Sequence, residues 1–411
     1  MKVSRGDLAR RSEAPDLRED VLAILDAVRE EGDRAVLRFT ERFDRADLRP
    51  EQLAVPAPEL EASIGILPSD VLGGLRMAIA NVRAVVRAQL RDEVSVTLPE
   101  GHEVSVVEVP VSRAGIYAPG GRAAYPSTVI MGAVTARAAG VDEIAVCAPP
   151  GPGGEAHPVI LAACVLCGVT EVYRMGGAQA IAAMAYGTES VRAVDVIAGP
   201  GNAYVQEAKR QVVGQVGIDG IAGPSELVVV ASPGADPELV ALDLLAQAEH
   251  GPEGLVALIA TEGALLGEIT DRVASMARAR PSVPSEGELR TAHIPEARAA
   301  LRAAEEIAPE HLQLVGSEVE AMAGRVRKAG CLFVGSSAGT AFGDYVAGSN
   351  HVLPTGGAAR FQSALSASTF RRRMARVSLS EGAAARLAPA GAAVARAEGF
   401  PVHAESMERR A

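Results

Sequence analysis

Apolar and polar positions along the chain follow two different periods, and the period changes from one region to the next. Residues 21–43 carry apolar side chains at helical spacing, and residues 104–111 follow the pattern of a strand. From Ala114 to residues 226–232, short β-branched runs that end in Gly or Pro alternate with helix-length apolar patterns. This alternation is typical of βαβ units around a parallel sheet.

A second stretch of α/β pattern follows the first. A predicted helix at 236–251 precedes an apolar strand at 255–262, and a further helix and strand are predicted at 264–280 and 331–335. The sequence therefore predicts an α/β protein with two Rossmann-like α/β domains that contain parallel-type sheets. A small helical N-terminal segment and a helical C-terminal tail complete the predicted architecture.

Charge and aromatic content argue against a nucleic-acid partner. The chain has 40 Lys and Arg against 51 Asp and Glu, a net charge of −11, which is unfavourable for binding a phosphate backbone. Aromatic residues make up 3% of the chain and Trp is absent, so platforms for stacking single-stranded bases are lacking as well.

The sequence also indicates where the protein works. Residues 1–20 carry charges throughout and have no apolar core, unlike a signal peptide. The longest uncharged apolar stretch, 156–170, falls short of the roughly 18 residues of a membrane-spanning helix. The cysteines lie in apolar runs rather than in a disulfide pattern: Cys147, Cys164, Cys167 and Cys331. We expect a cytoplasmic protein with no membrane partner.

Glycine-rich turns between strands and helices are candidate phosphate-binding loops, because glycine lets backbone N–H groups approach a ligand closely. Three such turns occur, at Gly120-Gly121, Gly176-Gly177 and Gly199-Pro200-Gly201. None completes the GxGxxG pattern, and many such glycines only permit tight turns. The pattern predicts at most a nucleotide bound in a non-standard way.

Several side chains have the chemistry of a metal or acid–base site. Gln247 and His250 stand three residues apart at the end of a predicted helix, which puts both on one face. Asp344 and His351 lie in a glycine-rich loop after a strand, and Glu310 and His311 form a possible acid–base pair. Taken singly, each is equally compatible with an ordinary polar surface residue, and His250 could simply interact with the helix dipole.

Seven long motifs between about Ala114 and Thr355 give the chain a family resemblance. They are GIYAPGGRAAYPSTV, MGGAQAIAAMAYGTESV, IAGPGNAYVQEAKR, AGPSE, LLAQAEHGP, APEHLQL and GDYVAGSNHVLPT. On these motifs the chain resembles the histidinol dehydrogenases, the zinc enzymes of the last two steps of histidine biosynthesis. The tail segment EGFPVHAESMERR resembles that of the family more loosely.

The resemblance implies a role for individual residues. The implied zinc ligands are Gln247, His250, Asp344 and His403, and in the family the tail histidine comes from the neighbouring subunit. The implied acid–base pair is Glu310 and His311, and the implied dinucleotide contacts are Tyr117, Gln179 and Asn202. The implied substrate contacts are Ser225, Gln247, His250, His311, Asp344, His351, Glu398 and His403.

The resemblance also implies a reaction. L-histidinol would be oxidised to L-histidine through L-histidinal in two steps, each using NAD, with one Zn²⁺ in each subunit of a homodimer. His311 would take the hydroxyl proton in the first step, and Glu310 would activate water in the second. The alternatives are a related zinc and NAD dehydrogenase of another small polyol, such as a sulfonated propanediol, and a zinc hydrolase. A non-catalytic nucleotide-binding module would leave the metal-type residues unexplained.

Domain boundaries follow from the pattern and the implied roles together. Residues 1–20 are predicted to form an N-terminal segment. A discontinuous first α/β domain with the metal site comprises 21–113 and 228–365. A nucleotide-binding second α/β domain comprises 114–227, and a C-terminal tail that contacts the partner subunit comprises 366–411. The tail is rich in Ala and Arg, so a solvated helix is the other interpretation of its pattern.

Overall fold

The computed structural model describes residues 1–4, 8, 15–120 and 123–411. Its helices are α1 (Arg18–Glu31), α2 (Asp33–Asp44), α3 (Ala57–Ile66), α4 (Ser69–Gln89), α5 (Pro126–Ala138), α6 (Pro158–Leu166), α7 (Gly177–Tyr186), α8 (Ala203–Val212), α9 (Pro237–Ala248), α10 (Gly263–Arg278), α11 (Ala297–Ile307), α12 (Ser317–Glu320), α13 (Thr340–Tyr345), α14 (Glu381–Ala397) and α15 (Pro401–Glu408). Its strands are β1 (Lys2–Ser4), β2 (Val94–Thr97), β3 (Glu103–Pro110), β4 (Arg113–Tyr117), β5 (Glu143–Ala148), β6 (Glu171–Arg174), β7 (Val196–Ala198), β8 (Gly217–Ile218), β9 (Glu226–Ala231), β10 (Leu255–Ala260), β11 (Glu288–His293), β12 (His311–Val315), β13 (Cys331–Val334) and β14 (Arg371–Ser378).

Two parallel sheets form the centres of the two α/β units. One sheet has the order β6-β5-β4-β7-β8, and the other has the order β1-β11-β10-β9-β12-β13. Both sheets carry helices on both faces, which is why central strands such as β5, β9 and β10 are mostly apolar. The predicted α/β architecture with two parallel-sheet units is confirmed. A small antiparallel sheet, β14-β3-β2, was not predicted.

A short connection brings the two parallel sheets together. Only residues 219–225 connect the carboxyl end of β8 to the amino end of β9. The carboxyl end of β8, an edge strand of the five-stranded sheet, therefore lies within reach of the amino end of β9, an interior strand of the other sheet. Gly223 N donates to Thr355 Oγ1, and Gln362 Nε2 donates to the Asp219 carbonyl at 3.1 Å, which ties the two units together at this junction.

Packing corrects the predicted membership of residues 21–113. Val21 and Phe39, from α1 and α2, lie in one apolar cluster with Ile181, and Leu75 of α4 lies in another with Ile116. These helices thus cover the five-stranded sheet, whereas the prediction placed them with the unit formed by later residues. Hydrophobic periodicity identifies the face that a helix buries, but not the sheet that receives it.

The predicted helix over 21–43 is interrupted at one residue. Gly32 has φ of 58°, and a Cβ there would lie 2.1 Å from Oε2 of Glu189. Only glycine fits both this backbone conformation and this close contact, so α1 ends and α2 begins around it.

The C-terminal tail is helical only in part. The arginine-rich run 371–376 was predicted to be part of a helical tail. It instead belongs to β14 and pairs antiparallel with β3. The tail becomes helical at α14 and α15, which pack on each other through Ala392, Ala395 and Ala404.

Helix length and hydropathy in the described part of the chain give no single helix that could cross a membrane. The pair α3 and α4 has the length and composition of such a helix only when the two are joined, and they meet at a bend of 112°.

Candidate active site

Glu310 lies buried at the amino end of β12, where the six-stranded unit meets the junction. Ala308, with φ of 49°, ends α11, and Pro309 cannot continue that helix, so the chain turns directly into the strand. Oε2 of Glu310 accepts hydrogen bonds from Ser225 Oγ and from the Glu226 N–H, both at 2.7 Å. Burial raises the pKa of Glu310 despite these bonds.

His311 stands beside Glu310 with its two ring nitrogens in different surroundings. Nδ1 lies 3.1 Å from the carbonyl oxygen of Glu226, to which it donates, and 3.6 Å from Glu310 Oε2. Nε2 lies 3.6 Å from Oδ1 of Asp344. Burial opposes charging of the ring, but Glu310 and Asp344 outweigh it and raise the pKa of His311 to about 9.

Two of the predicted metal ligands lie beside this pair. Gln247 is buried at the end of α9, and its Nε2 donates to Ser225 Oγ at 2.8 Å, which leaves its carbonyl oxygen available to a ligand. Burial favours the neutral form of Asp344, but its contact with His311 and the charge of that ring keep its pKa below the usual value. His250 is exposed just beyond the end of α9 and is near enough to contribute to lowering the Asp344 pKa.

His351 lies next to the same aspartate. Its Nδ1 donates to the main-chain carbonyl of Asp344 at 2.9 Å, and its Nε2 lies 3.3 Å from Thr128 Oγ1. Burial lowers the pKa of His351, in keeping with a neutral ring whose nitrogens have partners within the chain. In this conformation His351 positions the Asp344 loop, and its predicted contact with substrate stays a prediction.

The two tail residues of the predicted site are elsewhere. Glu398 and His403 are exposed on the α14–α15 pair, and the ring of His403 lies 5.3 Å from that of Phe400. Over the described ranges, no three His, Cys, Asp or Glu side chains lie close enough together to hold a metal ion. Gln247 and Asp344 lie at the Glu310–His311 pair, whereas the predicted tail residues do not.

The predicted dinucleotide contacts lie along the carboxyl edge of the five-stranded sheet. Tyr117 ends β4, and its hydroxyl oxygen accepts the Gly177 N–H at 3.0 Å. Gln179 is 1% exposed, and neither Oε1 nor Nε2 of its side-chain amide has a hydrogen-bond partner in the described residues. Asn202 caps α8 by accepting the Val205 N–H at 3.1 Å. A buried amide without partners is unfavourable unless a ligand satisfies it.

Sequence reasoning missed Glu226, which braces the acid–base pair. One carboxylate oxygen accepts the Glu310 N–H at 3.3 Å, and the other accepts the Gly356 N–H at 3.2 Å. The carbonyl of Glu226 fixes the His311 ring. The AGPSE motif contains this residue, but a glutamate at the start of an apolar strand gives no signal of such a role.

A buried ion pair, also missed, holds the Gly199-Pro200-Gly201 turn. Lys209 is 1% exposed, contacts the carboxylate of Asp219, and donates to the Gly199 carbonyl at 3.0 Å. Asp219 Oδ2 accepts the Gly199 N–H at 2.8 Å. The pair therefore fixes the turn that leads into Asn202. A lysine in a predicted amphipathic helix is expected at the surface, so the sequence gives no signal of it.

Removing the lysine should destabilise the protein. Lys209→Met leaves Asp219 as an unpaired buried charge, and we expect the free energy of unfolding to fall by about 3 kcal/mol. Urea denaturation measures the change, with the exposed Arg210→Met as the matched control. A loss as small as that of Arg210→Met would contradict the assigned role of the pair.

Asp44, which lies near Tyr117 among the predicted dinucleotide contacts, was also missed. It is the last residue of α2, and Oδ2 of its side chain is buried without a hydrogen-bond partner in the described residues. Burial raises the pKa of Asp44 to about 6. Its position in an ordinary FTERFDRAD segment gives no sign of this environment.

Asp44→Asn should stabilise the protein in a pH-dependent way. The folded-state pKa lies above the unfolded value, so the folded state loses stability as the pH rises through 6 and the carboxyl ionises. We expect the variant to gain about 1 to 2 kcal/mol at pH 8, a value reduced because the side chain is only partly buried. Chemical denaturation at pH 8 and pH 4 tests this, since the gain should vanish at the lower pH.

Comparisons with known proteins point to one family. The family model for histidinol dehydrogenase matches residues 8–411. The chain is 45% identical over 404 residues to the histidinol dehydrogenase of Parasynechococcus marenigrum, covering 97% of this chain and 92% of the relative. It is 44% identical over 407 residues to that of Gluconobacter oxydans, covering 98% and 94%.

A solved structure shows the same fold. The crystal structure of histidinol dehydrogenase from Elizabethkingia anophelis matches with a TM-score of 0.93 and 32% identity, covering 100% of this chain and 98% of that chain. Together the fold and the site define an enzyme of the oxidoreductase class. The chain belongs to the histidinol dehydrogenase family, and the resemblance seen in its motifs is confirmed.

Proposed function

We propose that this enzyme oxidises L-histidinol to L-histidine through L-histidinal, in two NAD-linked steps and with one zinc ion per subunit. The observation that carries the proposal is the position of the buried Glu310–His311 pair. It lies beside Asp344 and Gln247, at the amino end of β12, and it contacts Ser225 at the end of the connection that comes from the five-stranded sheet. A substrate held there can lose a proton to one side and hydride to the other.

His311 is the base of the first step. Because Nδ1 donates to the Glu226 carbonyl, the proton that the ring gains or loses lies on Nε2, the nitrogen that faces Asp344. With a pKa of about 9, the ring acts as a base in the fraction of the enzyme that has lost this proton. Nε2 takes the hydroxyl proton of histidinol while the carbinol carbon loses hydride. NAD, when bound, accepts that hydride, and the carbinol becomes an aldehyde.

Glu310 is the base of the second step. The aldehyde must add water before it can lose a second hydride, and a carboxylate whose pKa is raised by burial is a better base than an exposed one. Ser225 Oγ and the Glu226 N–H hold Oε2 in place. Glu310 takes a proton from the attacking water, His311 assists loss of the hydroxyl proton of the hydrate, and L-histidine is released.

The donor set fits zinc. Gln247 offers a carbonyl oxygen, His250 an imidazole and Asp344 a carboxylate, which are ligands that zinc accepts, and the amide of Gln247 is oriented by its bond to Ser225. His403 of the tail would be the fourth protein ligand. When bound, zinc orients the imidazole and amine of histidinol and polarises the reacting hydroxyl.

The tail leads us to propose a homodimer with shared sites. The fourth ligand, His403, is exposed on helices that pack mainly on each other, and its neighbours Phe400 and Val402 are 52% and 73% exposed. Exposed apolar side chains at the end of a projecting pair of helices suit burial against a second copy. Glu398 and His403 would then contact substrate and zinc in the partner's site. We further propose that the enzyme acts in the cytoplasm.

Stoichiometry and chelation test the proposal. Purified enzyme with L-histidinol should form two NADH per histidinol, and activity should fall on chelation and return with zinc. Turnover of a sulfonated propanediol in preference to histidinol would favour the related polyol dehydrogenase. Hydrolysis of an ester or amide without any dependence on NAD would favour the zinc hydrolase. Either outcome would overturn the proposed function.

A further inference from the structure

Asp44 carries a buried carboxylate oxygen that has no partner among the described residues. It closes the carboxyl end of α2, where the helix dipole disfavours a negative charge. Oδ2 is buried and accepts no hydrogen bond in the described residues. A buried acceptor without a partner lowers stability, so its presence points to a group from outside the chain.

The packing of two helices places Asp44 at the dinucleotide edge. The amino end of α2 meets the carboxyl end of α7, where the Asp33 N–H donates to Glu189 Oε2 at 2.8 Å. The other end of α2 therefore lies toward the amino end of α7, at Gly177. Asp44 accordingly lies near enough to Tyr117, the acceptor of the Gly177 N–H, for its charge to contribute to raising the Tyr117 pKa.

A second unsatisfied group lies at the same end of α7. Gln179 is 1% exposed, and both polar atoms of its amide lack partners among the described residues. Its Oε1 lies 2.7 Å from the position that a Cβ on Gly177 would take. The Asp44 carboxylate can only accept hydrogen bonds, whereas the Gln179 amide has unused donors and an unused acceptor. Both thus flank one stretch of the edge, next to the glycine-rich start of α7.

Strand order shows which half of a dinucleotide reaches this place. The junction with the catalytic pair lies at β8, through contacts of Asp219 with Gln362 and of Gly223 with Thr355. Tyr117 ends β4, two strands away from β8, and β5 and β6 lie still farther out. Adjacent strands are about 4.8 Å apart. If the nicotinamide lies at the junction, the groups beside Asp44 belong to the adenosine half.

We propose that Asp44 accepts hydrogen bonds from the hydroxyls of the adenosine ribose and thereby selects NAD over NADP. A carboxylate can accept hydrogen bonds from two vicinal hydroxyls at once, as in the ribose of NAD. In NADP, the 2′-phosphate would instead put two negative charges against the Asp44 carboxylate at a partly buried site. This inference rests on the proposed use of NAD, and it adds a residue that determines dinucleotide specificity.

Direct binding of both dinucleotides to Asp44→Asn tests the assignment. Isothermal titration of the parent enzyme should give a much lower Kd for NAD than for NADP. The variant should bind NAD about tenfold more weakly and NADP more tightly, because it loses an acceptor and a repulsive charge together. In steady-state assays, KM for NAD should rise while kcat stays within about twofold of the parent value.

A matched variant separates this role from a general effect of charge or folding. Asp47→Asn removes the same charge from an exposed position in the same segment and should change neither Kd. Asp44→Asn should melt no lower than the parent at pH 8, so weaker NAD binding would not reflect unfolding. An unchanged Kd for NAD, or equal weakening for both dinucleotides, would overturn the assignment.

Because this test measures dinucleotide binding, its outcome can be distinguished from the outcome of the activity test for the proposed function. If the enzyme binds NAD with the expected response to Asp44→Asn but does not oxidise histidinol, the reaction is wrong and the Asp44 assignment holds. If histidinol is oxidised and the variant retains the parent preference between NAD and NADP, the Asp44 assignment alone is overturned.

Discussion

Glu310→Gln should lower the rate of histidine formation by about 10³-fold, within the range that a positioned acid–base group contributes. The effect should fall mainly on the second oxidation, because only that step needs an activated water. Histidinol should still be oxidised to the aldehyde, so the yield should drop from two NADH toward one per histidinol. Trapping the aldehyde with semicarbazide while following NADH measures both quantities.

The control for this variant is a glutamate on the preceding helix. Glu306→Gln changes an exposed residue of α11 in the same way and should leave rate and stoichiometry unaffected. Glu310→Gln keeps the shape of the side chain, and its amide oxygen can still accept from both the Ser225 hydroxyl and the Glu226 N–H, so the variant removes the base without removing these bonds. Equal loss of both oxidations would show that Glu310 supports the site instead of activating water.

Mixing two inactive variants should restore activity if tails are exchanged between subunits. His311→Ala removes the base, and His403→Ala removes the proposed tail ligand, so each homodimer should lose at least about 10²-fold in kcat. In the mixed dimer, one site combines an intact His311 with an intact tail from the other chain. Random reassembly of equal amounts should therefore recover about a quarter of the parent activity.

The mixing result has a clear contrary outcome. If each tail served its own chain, both sites of a mixed dimer would still lack one group, and no activity would return. As a control, two preparations of His311→Ala that differ only in an affinity tag are mixed in the same way. They can reassemble, but neither can supply the base that the other lacks. Size-exclusion chromatography coupled to light scattering verifies that mixed dimers form before activity is measured.

Much of the fold followed from periodicity. The βαβ alternation from Ala114 onward predicted both parallel sheets, because buried parallel strands are continuously apolar and are separated by helices. Periodicity could not assign residues 21–113 to a sheet, since an apolar helix face packs equally well on any apolar layer. It also misjudged 371–376, whose strand conformation depends on pairing with the distant β3.

The residues of the candidate site also divide into those that the sequence predicted and those that it did not. Glu310, His311 and Asp344 were found because motifs carry them, and the structure brings them together. Glu226, Lys209 and Asp44 were not found, because each owes its role to what surrounds it after folding. A lysine or an aspartate in a helical pattern is expected at the surface until the packing of neighbouring helices is known.

In the proposed mechanism, the seven-residue stretch between β8 and β9 sets the distance over which hydride is transferred. Exposed connections commonly accept extra residues, but each added residue can lengthen a segment by about 3.5 Å. A displacement of 1 Å in a reacting pair can already cost a hundredfold in rate. This connection should therefore be among the least tolerant of insertion in the whole enzyme, even where a longer version would fold.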